Sequence, residues 1–128
     1  MRKLLLGIDL GSSSVKSCIL DASTGKALAS KAFPEVEMPI QSPQSGWAEQ
    51  DPEIWWKHVK EGIAYVCGQA QVQAGELLSI GIAYQMHGLV CVDKSHQVLR
   101  SSIIWCDSRA VSYGEKAFDT IGHEKCLS

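Results

Sequence analysis

The chain has 128 residues, 45% of them apolar, and its 12 basic and 14 acidic side chains give a formal net charge of −2. That composition suits the interior of one modest globular domain, or a piece of a larger one, and argues against disorder. The near balance of charge leaves no electrostatic footprint for nucleic acid or an anionic membrane, so a ligand has to be argued from local sites.

The opening "MRKLLLGIDLG" starts like a signal peptide, but Gly7 and Asp9 interrupt the apolar run too early, and no later stretch approaches a membrane span. Residues 4–10, "LLLGIDL", read as a buried strand. A Gly-Ser turn leads to a second strand near 14–21, which makes a hairpin. The turn "STG" at 23–25 precedes a third strand over 26–34, which Pro34 ends. Residues 35–50, with Pro39, Pro43 and Gly46, read as a long crossing loop.

Asp51 is a good N-cap, Pro52 fits the first helical position, and Glu53 favours the positive helix end. Trp55, Val59, Ile63 and Val66 recur on one face, so a helix is expected from 52 to about 71. "ELLSIGIAY" (76–84) is apolar enough for a strand buried on both faces, the central strand of a helix-covered sheet reached by a crossover. Two further strands are expected at 89–93 and 101–106, around the turn "KSHQ". A helix at 107–122 would close on Gly122, and the tail "HEKCLS" carries no finished element. The pattern predicts an α/β fold whose mixed sheet opens with an antiparallel three-stranded meander.

Five cysteines (Cys18, Cys67, Cys91, Cys106, Cys126) are odd in number and widely spaced. With no C-x-x-C pair and no H-x-x-x-H spacing, a zinc site has little support, and a reducing, cytoplasmic setting is expected.

"GIDLGSSSVKSCIL" (7–20) has the ingredients of a phosphate loop without the Walker spelling. Val15 stands where the glycine before the lysine belongs, and "SCIL" continues as strand where a helix should start. A tight hairpin offers another route. Gly11, Ser12 and Ser13 can aim N–H groups and hydroxyls at phosphate oxygens, Asp9 can hold a hydrated Mg²⁺, and Lys16 lies within reach of a terminal phosphate. On spacing alone, a plain structural hairpin stays open as the alternative.

"GIDLGSSSVK" resembles the first phosphate motif, D-x-G-[ST]-[ST]-x-x-[KR], of the sugar kinase, heat-shock ATPase and actin superfamily. "WAEQDPEIWW" resembles a segment that carbohydrate kinases of the FGGY family carry after their opening meander. "SIGIAYQMHGLVCVD" is similar to the Q-M-H-G signature of the xylulokinase branch, and "IIWCDSR" to its W-x-D-x-R stretch. Four blocks in this order make a specific match over about residues 4–110.

The resemblance implies a ribonuclease H-like (actin-like ATPase) fold, two domains around a cleft, and MgATP-dependent phosphorylation of a ketose, D-xylulose to D-xylulose 5-phosphate. It implies Asp9 as the catalytic acidic residue beside metal and phosphates, and Gly11, Ser12, Ser13 and Lys16 as the ATP phosphate site. Gln85, Met86 and His87 become substrate-binding residues, with Trp105, Asp107 and Arg109 beside them. Histidine supplies a directional donor or acceptor to a sugar hydroxyl, and an indole suits the C–H face of a polyol. His58, His96 and His123, outside such a setting, are expected to be surface or structural, and Trp55 and Trp56 to pack the helix.

Tyr84, where many relatives have glycine, and Cys106, in place of a more usual asparagine, leave another sugar or polyol open. The family's catalytic aspartate belongs to a downstream glycine-rich block, and Asp93, Asp107 and Asp119 stand in the wrong setting for it. The chain is therefore expected to be an incomplete N-terminal kinase domain, inactive alone, from a protein that is compatible with a homodimer. A non-catalytic sugar or nucleotide sensor and an actin-like assembly module are the alternatives from other classes.

Overall fold

The computed structural model describes residues 1–128. Strands β1 (Leu4–Leu10), β2 (Val15–Asp21) and β3 (Ala27–Phe33) form the expected antiparallel meander. Alternation decides which side chains go inward: Leu4, Leu6 and Ile8 of β1 share one face with Val15, Ser17 and Ile19 of β2. The β2–β3 turn is fixed by Asp21, whose Oδ1 accepts the Ser23 N–H at 2.7 Å, and by Gly25 at φ +70°.

A two-residue strand β4 (Glu49–Gln50) ends the crossing loop and leads into α1 (Pro52–Gln69). The start of α1 is as expected: Asp51 Oδ1 accepts the Glu53 N–H at 2.9 Å, with Pro52 in the first turn. Trp55, Val59 and Val66 are buried against the inward face of the sheet, and Gly62 lets the helix approach β2 at Ser17. Trp56 departs from the packing expectation: it is exposed, with the Lys60 ammonium 5.5 Å from its ring centre.

Past α1 the chain is clamped to its own N-terminus. Arg2 donates to the carbonyls of Ala70 (3.0 Å) and Gln71 (2.7 Å) and pairs with buried Glu76 at 2.6 Å. The bond from Arg2 holds the Glu76 carboxyl at about 2, well below its usual 4.5. Strand β5 (Leu77–Tyr84) then runs parallel to β1, giving the order β3-β2-β1-β5.

Here the structure corrects the sequence reading. β5 is an edge strand of this sheet, and Leu78, Ile80, Ile82 and Tyr84 are exposed. The reason is that α1 lies over β2 and β3 and stops short of β5. The two strands expected at 89–93 and 101–106 are also revised. The segment makes only single bridges, Leu89 with Ile103 and Val92 with Val98, and the two-residue strand β6 (Ser102–Ile103). β6 pairs antiparallel with β4, so this second ribbon is separate from the main sheet.

Helix α2 (Val111–Ile121) starts four residues later than expected, after a turn at 109–110, and ends on Gly122 at φ +94°. The tail is not featureless, since His123–Leu127 forms a short helix, α3. No helix is long and apolar enough to cross a membrane. All five cysteines are free.

Candidate functional site

Because β1 and β5 are parallel, their C-terminal ends lie together, Leu10 beside Tyr84 and Asp9 beside Ala83. Two sequence motifs far apart in the chain therefore emerge at one end of the sheet, the place where α/β sheets bind ligands. The bond from the Gln85 N–H to the Leu10 carbonyl, 2.9 Å, extends this pairing into both loops.

The serine turn spends its first donor on itself, since the Gly11 N–H bonds the Ser14 carbonyl at 3.0 Å. Gly11 thus shapes the turn. The N–H groups of Ser12, Ser13 and Ser14 have no partner within the chain and remain free for an anion. The carbonyls point the other way and anchor the turn: Ser13 accepts the Met38 N–H at 2.9 Å, and Ser12 accepts Gln50 Nε2 at 2.6 Å.

Asp9 and Lys16 are cross-strand neighbours with Nζ and Oδ2 3.4 Å apart, both more than half exposed. They lie on the sheet face away from α1, over a groove floored by Gly7 and Gly81. Such an exposed pair is weakly held, so both groups can exchange partners. No three His, Cys, Asp or Glu side chains converge as a ready-made metal cage. A lone exposed carboxylate fits Mg²⁺ that arrives with phosphates and keeps its waters, and does not fit a resident structural ion.

After β5 the chain forms an open cleft of about 420 Å³ lined by Tyr84, Gln85, Met86, His87 and Trp105. A neighbouring cleft of about 450 Å³ shares Tyr84 to His87 and adds Leu10, Trp55, Gly88, Val90 and Ser102. His87 sits at φ +61°, a left-handed conformation that costs a non-glycine residue about 1–2 kcal/mol. The side-chain amide of Gln85 is buried with neither Oε1 nor Nε2 partnered. Unpaired buried amides are costly; Gln85 as a residue lines both clefts, with its amide atoms beneath their surface.

Trp105 is 57% exposed and forms the far wall. It occupies a turn closed by the bond from the Asp107 N–H to the Ile104 carbonyl, 3.0 Å. Asp107 and Arg109 lie outside the cleft lining, beneath that turn. The Asp107 side chain is 2% exposed; Oδ2 accepts the Ala48 N–H at 2.6 Å and Arg109 Nη2 at 2.7 Å, and Oδ1 accepts Arg109 Nε at 2.8 Å. Arg109 continues to buried Glu49 at 2.6 Å, which also pairs with Arg100, and stacks 3.7 Å over Trp47. Hydrogen bonds from Arg109 hold the Asp107 and Glu49 carboxyls below their usual values.

The expected site residues thus fall into groups. Gln85, Met86, His87 and Trp105 share one cleft, Gly11, Ser12 and Ser13 shape the turn beside it, and Asp9 and Lys16 line a separate groove on the sheet face away from α1. Sequence reasoning assigned no role to Glu49 and Gln50, which lay in the quoted "WAEQDPEIWW". His58 is structural as expected, buried with Nδ1 2.7 Å from Glu61.

Comparison with known proteins gives the family. The N-terminal domain of the FGGY family of carbohydrate kinases matches residues 4–126. The chain is similar to the xylulose kinases of Bacillus subtilis (38% identity over 84% of this chain) and Klebsiella pneumoniae (37% over 83%), spanning 21% of each. Among solved structures it resembles a gluconate kinase from Lactobacillus acidophilus (TM-score 0.84, 27% identity, 98% of this chain and 24% of that one). It also resembles a ligand-bound xylulose kinase from the same organism (TM-score 0.82, 28% identity, 96% and 24%). The chain therefore spans about a fifth to a quarter of the relatives it matches, and its sheet and crossover are the opening of their actin-like ATPase fold. From its motifs, its fold and these matches together, the chain belongs to the FGGY family of carbohydrate kinases.

Proposed function

We propose that the complete polypeptide carrying this chain transfers the γ-phosphoryl group of ATP to a hydroxyl of a ketose, with D-xylulose as substrate, and that residues 1–128 form the first part of its N-terminal domain. The observation that carries this reading is the pairing, at one end of the sheet, of a serine turn with three free N–H groups and a cleft lined by Gln85, Met86, His87 and Trp105. The xylulose kinase relatives support the choice of sugar.

In this reading the turn's N–H groups and Lys16 neutralise phosphate oxygens, and Asp9 holds the metal, which supplies charge stabilisation for the transferring phosphoryl group. Gln85 and His87 hydrogen-bond sugar hydroxyls, while Trp105 covers the carbon skeleton and excludes water. The acceptor oxygen forms the new P–O bond as the β–γ bridge breaks and ADP leaves, and its proton needs a base. Asp107, the carboxylate closest in sequence to the cleft wall, is committed to Arg109 and Ala48. As the family resemblance implies, the base belongs to a later glycine-rich block of the complete polypeptide, and the 128-residue chain alone is expected to be inactive. A cytoplasmic setting, where ATP is plentiful, accords with five free thiols.

A gluconate kinase among the structural neighbours favours a second reading, in which the same cleft takes a sugar acid. ADP release by the complete polypeptide, measured with MgATP over D-xylulose, D-ribulose, gluconate and glycerol, separates the two. Turnover is expected with D-xylulose; preference for gluconate moves the assignment, and turnover with no sugar removes it.

A further inference from the structure

The motif "WAEQDPE" does more than start a helix. Glu49 and Gln50 are adjacent, both buried, and send their side chains to different parts of the site. Gln50 Nε2 donates to the Ser12 carbonyl at 2.6 Å and to the Pro39 carbonyl at 3.3 Å, and its Oε1 accepts the Trp55 indole N–H at 3.1 Å. Every polar atom of that amide is engaged, so its position is fixed from α1, and it fixes the serine turn in return. Glu49 Oε1 takes Arg109 at 2.6 Å as well as Arg100, and Arg109 grips Asp107, which closes the Trp105 turn. The backbone of the same two residues pairs with Ser102 and Ile103, and the Ile104 N–H bonds the Ala48 carbonyl at 3.1 Å.

We propose that Glu49 and Gln50 are a two-sided positioning device: Gln50 sets the serine turn that receives phosphate, and Glu49 sets the turn that presents Trp105 to the sugar. The kinetic part of this rests on the sugar-kinase reading above; the positioning part does not. Preorganised turns matter because donors already aimed at the ligand need no reordering on binding. Adjacent residues of a strand send their side chains to opposite sides, which is how the two neighbours of β4 serve two loops.

The test uses Gln50→Met, which removes the amide's bonds, and Glu49→Gln, which removes the charge that pairs Arg109 and Arg100 while keeping side-chain size, with thermal melting to establish that each variant folds. In the 128-residue chain, amide exchange followed by ¹H–¹⁵N spectra is expected to rise at the bonded amides of Gly11 and Met38 for Gln50→Met. For Glu49→Gln it is expected to rise within 104–109. In the complete polypeptide, Gln50→Met is expected to raise KM for ATP about tenfold with KM for D-xylulose within about twofold, and Glu49→Gln to do the reverse. Restoring Glu49→Asp should recover part of the sugar KM if a carboxylate is what Arg109 needs. Parallel changes in both KM values, or faster exchange spread evenly through the chain, would overturn the device. A wild-type polypeptide that phosphorylates no sugar defeats the functional reading, and the segment-specific exchange pattern still decides the positioning claim.

Discussion

The indole N–H of Trp105 points at Ser12 Oγ from 3.4 Å, across 93 positions of sequence, so the wall of the sugar-side cleft touches the serine turn. A contact of that length is weak, and the exposed indole remains available to a ligand. The two halves of the proposed site are therefore neighbours.

Trp105→Ala in the complete polypeptide is expected to raise KM for D-xylulose about tenfold, equivalent to about 1.4 kcal/mol, for loss of the indole face. KM for ATP should stay within about twofold. Steady-state kinetics with each substrate varied in turn checks this, and an unchanged sugar KM places the sugar elsewhere.

Gly62 faces Ser17 so closely that a Cβ on the helix would collide with the Ser17 hydroxyl, which is itself buried without a partner. Gly62→Ala is expected to lower unfolding free energy by about 1–3 kcal/mol through overpacking. Adding Ser17→Ala removes both the obstacle and an unpaired polar group, so the double variant should regain most of the loss in urea titrations. Equal instability of the single and double variants would show that the close approach is not the cause.

The three bonded carboxyls set an acid limit. Glu76 is held at about 2 by Arg2, and Glu49 is lowered by Arg109 and Arg100. Asp107 is lowered by Arg109 and the Ala48 N–H. A carboxyl depressed by folding stabilises the fold above its unfolded value and loses that contribution as pH falls through the folded one. Midpoints of thermal unfolding should therefore fall as pH drops from about 4.5 toward 2, and Glu76→Gln should flatten part of that fall. A wild-type midpoint independent of pH across this window would contradict the bonding described.

β5 offers an uncharged edge of eight residues with Ile80, Ile82 and Tyr84 exposed on the α1 side of the sheet, beyond the reach of α1. Such an edge pairs readily with other chains. Static light scattering of the 128-residue chain is expected to show mass rising with concentration, and Ile82→Lys should suppress it while leaving the circular dichroism unchanged. Monomeric behaviour of the wild-type chain throughout would refute this.

The meander and α1 were legible because their signals are local: alternation of Leu4, Leu6 and Ile8, the turn at Asp21 and Gly25, and the cap of Asp51 with Pro52. Within these 128 residues β5 is exposed because an apolar run records what a strand can pack against and not whether α1 reaches it. The 89–106 segment looked like two strands, yet its partner is the two-residue strand Glu49–Gln50, whose pairing leaves no periodic trace. α3 was missed because five residues carry too little periodicity to register. At the site, the chemistry-bearing blocks were readable as motifs. Their division was not, because only three dimensions show Asp107 and Arg109 gripping each other while Trp105 faces the cleft.

The central claim is that the end of β1 forms the metal and phosphate half of a sugar-kinase site, and Asp9→Asn tests it most directly. In the complete polypeptide, phosphoryl transfer from MgATP to D-xylulose is expected to fall at least about 100-fold with KM for D-xylulose within about twofold. Turnover at the wild-type rate would contradict the role assigned to Asp9 and with it the placement of the phosphates at this hairpin.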